Sequence, residues 1–121
     1  MATLLVNTGR SAITGRLKGT TAEPNYIAWG TGAGTTGATD TTLFTETGSR
    51  VAGTSTQQTT TTANDTYQVV GVVTTATATT ITNAGLFDAA GTGTLFLKTD
   101  FVGIALNPGD SIQFTFKISF A

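Results

Sequence analysis

The sequence contains no cysteine and no histidine. That removes together disulfides, thiol nucleophiles, Cys/His zinc sites, imidazole bases and imidazole pH switches. A serine nucleophile is left with only a lysine or a carboxylate as its base, and neither G-x-S-x-G nor S-x-x-K occurs. Charge is scarce too, at 11% of residues, where an ordinary soluble domain carries about 25%. Six cations (Arg10, Arg16, Lys18, Arg50, Lys98, Lys117) oppose seven acids for a net charge of -1. Counterion release therefore has little to work with, and nucleic acid is a poor partner. No stretch approaches the roughly 18 apolar residues of a membrane span, and the opening MATLLVNTGR is too short in apolar residues for a secretion signal. The expectation is a chain that neither enters a membrane nor carries an export signal. With 121 residues, there is room for one core, at a usual domain size of roughly 100–150 residues.

What fills the space is threonine, about 30 residues, and 15 glycines. Ile112, Phe114, Phe116, Ile118 and Phe120 alternate with polar residues, the period of a strand with one apolar face. Before it, Asn107-Pro108-Gly109-Asp110 has turn chemistry and is expected to bring Phe101–Leu106 back beside the last strand. Tyr67–Thr74 is apolar at nearly every position, which suggests a strand covered on both faces. Further strands are expected at Leu4–Asn7, Tyr26–Trp29, Ile81–Phe87 and Leu95–Thr99. Helical periodicity is not convincing anywhere. Gly30–Thr42 and Gly53–Thr62 are low in complexity and read as loops or mobile arms. The sum is an all-β, single-domain sandwich, jelly-roll-like, with residues 1–25 as an N-terminal arm or first strand and 26–121 as the sandwich proper.

Candidate chemistry is thin. Gly32-Ala33-Gly34-Thr35-Thr36-Gly37 matches G-x-G-x-x-G, but no helix is expected to follow it and position 57 is Gln rather than an acid, so a surface loop is the reading. Asp40, Asp65, Asp88, Asp100 and Asp110 mostly neighbour Gly, Asn, Thr or Pro and are expected to stabilise turns rather than form a glycosidase pair. No calcium-loop pattern occurs. Thr75, Thr77 and Thr79 alternate like an ice-binding array, yet no fixed repeat supports a solenoid. Asn64-Asp65-Thr66 matches the glycosylation pattern by chance. Trp29 is expected in the core, with stacking of Trp29 and Tyr26 on a sugar as the rival role. The chain is therefore expected to be no enzyme, with no cofactor and no metal.

Three segments in order carry a likeness: Tyr26-Ile27-Ala28-Trp29-Gly30-Thr31-Gly32 followed by Thr39-Asp40-Thr41-Thr42-Leu43; then Ile81-Thr82-Asn83-Ala84-Gly85-Leu86-Phe87-Asp88-Ala89; then Gly93-Thr94-Leu95-Phe96 leading to Leu106-Asn107-Pro108-Gly109-Asp110. Residues 26–120 thereby resemble small virion proteins of tailed bacteriophages, among them capsid decoration (cement) proteins and tail-fibre or baseplate-associated modules. One departure is Asn83, where an acidic residue is common in that family. The resemblance implies a protein on the capsid surface, assembled in the bacterial cytoplasm. It would bind the phage major capsid protein as a homo-oligomer, a trimer at three-fold positions, and it brings no catalytic residues. The alternative it implies is a tail module that recognises a host glycan, with Trp29, Tyr26 and Tyr67 as stacking candidates; a free-standing carbohydrate- or ice-binding module is a third class. Arg10, Arg16 and Lys18, with no acid until Glu23, are the candidate capsid-contact arm. Val70, Val72, Phe114 and Phe116 are the candidate oligomer or core strand positions.

Overall fold

Threonine and β-branched residues favour a pleated surface, and about half of the chain adopts one. The computed structural model describes residues 2–120, in the order β1 (Ala2–Leu5), α1 (Asn7–Lys18), β2 (Tyr26–Gly30), β3 (Glu46–Ala52), β4 (Thr54–Gln58), β5 (Thr66–Thr74), β6 (Thr79–Phe87), β7 (Leu95–Leu106) and β8 (Ser111–Ser119). Two antiparallel sheets, ordered β1-β7-β6-β2-β3 and β4-β5-β8, make an all-β sandwich. Alternation along β2 turns Ile27 and Trp29 toward the smaller sheet, where they meet Val69, Val73 and Phe116, and sends Tyr26 and Ala28 to the opposite face. There a second cluster forms from Val6, Ala28, Leu43, Phe87 and Leu95. Trp29 is a core residue, as expected, at 6% exposure.

The expectation of no helix is corrected by α1. Its sequence, NTGRSAITGRLK, offers few apolar positions, so packing and termini hold it rather than propensity. Gly19 takes the left-handed conformation, with Gly19 N donating to Arg16 O at 3.1 Å and Thr20 N to Gly15 O at 2.8 Å, a Schellman ending. Arg16 and Lys18 lie in the last turn, where the helix dipole favours cations. Gly9 lets the helix lie directly on β7, because a Cβ there would collide with the Phe96 carbonyl oxygen and come within 2.8 Å of Leu5 Cδ1. Gly9→Ala, which elsewhere in a helix adds about 1 kcal/mol, is therefore expected to cost about 2 kcal/mol through overpacking. A thermal midpoint above the parent's would contradict this close approach.

Three further expectations are corrected. The Asn107–Asp110 turn does not close a hairpin: β7 lies in the larger sheet and β8 pairs with β5. Thr75 N donates to Asp110 O and Gly109 N to Thr75 O, at 3.1 and 2.7 Å, so the turn is tied to the end of β5 and passes the chain between sheets. Gly53–Thr62 contains β4, whose Thr54, Thr56 and Gln58 face solvent while its backbone pairs with β5. β5 is not covered on both faces: Val69 and Val73 are buried, whereas Val72 is 50% exposed.

Candidate interaction surface

The buried Lys98 and Asn83 side chains hold a loop against the larger sheet, whereas Trp29 Nε1, Thr36 Oγ1 and Thr75 Oγ1 are buried without a hydrogen-bond partner among the described residues. Of Gly30–Thr42, expected as a loop or mobile arm, Gly30 ends β2, and residues 31–45, which form no regular element, are strapped across the outer face of the larger sheet. Lys98, its side chain 1% exposed, reaches from β7 to Asp40 Oδ2 at 2.8 Å and Thr42 O at 2.9 Å, with its ammonium 3.4 Å from the Phe44 ring centroid. The Asp40 carboxyl also accepts from Gly37 N at 3.0 Å. That amide first, and then Lys98, holds its pKa below the usual carboxylate range. Asn83, fully buried on β6, accepts from Phe44 N and donates to Phe44 O, both at 3.0 Å, so its amide stands in for a strand partner. Asp100 accepts from Thr36 N at 3.0 Å, and Asn7 N donates to Ala38 O at 2.8 Å, which pins the strap to β7 and to the start of α1.

The other aspartates do the turn work expected of them. Asp65 accepts from the backbone N–H groups of Thr62, Thr60 and Thr61, and these hold its carboxyl well below the ordinary range. Asp88 accepts from Thr94 N, and Asp110 from Asn107 N. Arg50 is bound twice to Glu46 and also to the carbonyls of Ala89 and Thr92, lying over Phe87, so it fastens the β6–β7 connection to β3. Among the described residues no group of three or more acidic side chains could hold a metal ion, and no helix is long and apolar enough to cross a membrane.

The exposed large apolar side chains are Leu17 on α1, Val72 on β5, Val102 and Ile104 on β7, and Phe120 after β8, and two apolar grooves flank β8. At one end, a groove of about 370 Å3 runs between α1 and β8, lined by Ala12, Ile13, Leu17, Phe96, Ile118 and Phe120 among others. Leu17 is 85% exposed and Phe120 64%. Arg16 edges this groove and donates to Thr21 O at 3.0 Å, while Arg10 and Lys18 are exposed on the same helix. On the groove floor the Tyr67 hydroxyl donates to Pro24 O at 3.1 Å and to Glu23 at 3.3 Å; burial, then the Glu23 charge, raises its pKa above the ordinary phenol range. At the other end, a groove of about 600 Å3 opens between the sheets beside β8, over Phe101, Ile104, Ile112 and Phe114.

The expected site residues are thus only partly assembled. Arg10, Arg16 and Lys18 sit on a helix rather than a free arm, and of the three only Arg16 lines the groove. Val70 and Val72 point to the outer face of the smaller sheet, whereas Phe114 and Phe116 point inward, Phe116 being core and Phe114 half-buried, so the four do not form one patch. The rings considered for stacking on a sugar are occupied: the Trp29 indole packs against Gly48, Tyr26 packs on the second core cluster, and Tyr67 meets Phe96 edge-on at 6.3 Å. Leu17 was missed because α1 was missed, although the basic last turn followed by Gly19 is a helix-stop signal. Compared with protein-family models, curated proteins and solved structures, the chain has no match.

Proposed function

We propose that this protein is a non-catalytic structural component of a tailed-phage virion, a decoration (cement) protein that docks on the major capsid protein and stabilises the head shell. The observation that carries the reading is the α1 flank, where an exposed apolar pair, Leu17 and Phe120, stands beside a groove on a helix bearing three cations and no acid. Isolated apolar residues on a surface need no explanation, but a groove with exposed apolar walls and a charged rim has the anatomy of an interface. The cations suit an acidic or polar partner face, steering the encounter while Leu17 and Phe120 supply the buried area. The segment resemblance over residues 26–120, which covers capsid decoration proteins as well as tail-associated modules, supports a virion partner. Repetition over many copies makes modest contacts sufficient, since each adds buried area between neighbouring capsomers.

Co-sedimentation with purified heads assembled without the protein tests this. Leu17→Asp places a charge at an exposed position on the groove, so folding is expected to persist while head binding falls at least tenfold, equivalent to about 1.4 kcal/mol. Binding equal to the parent's, in a variant that remains folded, contradicts the docking of α1.

A further inference from the structure

Four strands end the sheets, and three of them are short or irregularly paired. β1 has four residues and β4 five, and β3 has a register break against β2. β8 differs: it offers nine residues, an unbroken ladder to β5, and Lys117 as its one charge. A long edge strand without proline, bulge or several charges is a template for another strand.

The direction of its backbone follows from bonds at its two ends. Thr75 N donates to Asp110 O at 3.1 Å, and Phe120 N donates to Asp65 O at 3.0 Å. Even-numbered positions therefore bond to β5, and in a regular antiparallel ladder the N–H and C=O groups of Ser111, Gln113, Thr115, Lys117 and Ser119 point to the open side. The side chains have a second regularity. Ser111-Ile112-Gln113-Phe114-Thr115-Phe116-Lys117-Ile118-Ser119 reads the same from either end, except that Gln113 mirrors Lys117.

We infer that β8 pairs antiparallel with β8 of a second copy of this chain, about a two-fold axis at Thr115, joining the two three-stranded sheets into one continuous sheet. The outward-pointing positions then form the hydrogen-bonded pairs: Thr115 with the partner's Thr115, Gln113 with the partner's Lys117, and Ser111 with the partner's Ser119. Ile112 meets the partner's Ile118 and Phe114 the partner's Phe116 at the non-hydrogen-bonded pairs, where side chains approach more closely. Lys117 falls opposite a neutral amide instead of a second lysine. Any slide of the register leaves both ends unpaired and sets Ile against Phe. The open groove over Phe101, Ile104 and Phe114 lies on this same flank, so the inner-face side chains of the partner's strand also cover apolar surface that the single chain leaves half-exposed. This pairing uses the β8 edge, whose Ile118 also lines the α1 groove, and it gives a two-fold dimer in place of the trimer that the resemblance implies.

Sedimentation equilibrium of the purified full chain at roughly 1–200 μM tests the inference without any capsid. The expected mass is twice 12.3 kDa. Thr115→Pro removes an N–H that points away from β5, a change an edge strand tolerates, and is expected to give a monomer that stays folded by circular dichroism and Trp29 fluorescence. Gln113→Glu sets two carboxylates against the two copies of Lys117 and is expected to tighten the dimer about fivefold, whereas Gln113→Lys weakens it by a similar factor. A mass of 12.3 kDa throughout, a trimeric mass, or a dimer indifferent to all three substitutions overturns the inference.

Discussion

Asn83→Asp is expected to cost roughly 3–5 kcal/mol at neutral pH, comparable with breaking a buried polar pair and a large part of the total stability of a domain this size. The side chain is fully buried, and both of its ends are used: Oδ1 receives Phe44 N, while Nδ2 donates to Phe44 O and to Thr82 Oγ1, each at 3.0 Å. A carboxylate is the same size but has no donor, so it would face the Phe44 carbonyl oxygen as an unpaired charge. The cost should depend on pH. Burial raises the pKa of the introduced acid in the folded state above its unfolded value of about 3.9. Its protonated form can again donate to Phe44 O, so stability is retained below the unfolded pKa and lost as pH rises through the folded one. Urea denaturation of variant and parent at about pH 4 and pH 7 checks this. A deficit under 1 kcal/mol at both pH values would contradict the role given to the amide.

Asp40→Ala should cost about 3 kcal/mol, because it leaves the Lys98 ammonium enclosed with only the Thr42 carbonyl and the Phe44 ring as partners. The reverse truncation is milder in electrostatic terms, since Asp40 is the more exposed of the two. Adding Lys98→Met to Asp40→Ala should therefore recover part of the loss, the signature of a pair whose cost lies in the stranded charge. Equal or larger destabilisation in the double variant would contradict this. In the parent, the lowered pKa of Asp40 makes the sign opposite to that of the introduced acid at position 83. Its contribution is present above about pH 4, the unfolded value, and is lost as pH falls through the lower folded one. Hydrogen exchange in residues 37–44 should accelerate first in acid.

These two sites mark where the sequence stops being readable. β8 is legible because its period of two never slips and its apolar face is unmixed. α1 is not, since Gly, Ser, Thr and Asn occupy half of NTGRSAITGRLK and leave no stripe; the contact that stabilises it, Gly9 on the Phe96 carbonyl, involves a residue far along the chain. β4 hides for a different reason: its outward residues are threonine and glutamine, so its only signature is a ladder to β5 that no periodicity records. Residues 31–42 of the strap read as a loop, but its order comes from Lys98 and Asn83, partners separated from Asp40 and Phe44 by 58 and 39 positions. For the interaction surface, the sequence offers the cations of α1 and the mirror symmetry of β8. Neither acquires meaning until the fold places Leu17 beside Phe120 and leaves the β8 edge open.

Direct localisation on purified virions tests the central claim. With the protein tagged at an exposed loop and imaged by electron microscopy, label is expected to spread regularly over the head shell, and heads carrying the Leu17→Asp variant to lose it. Label confined to the tail, or absent from the particles, would contradict the assignment to the shell.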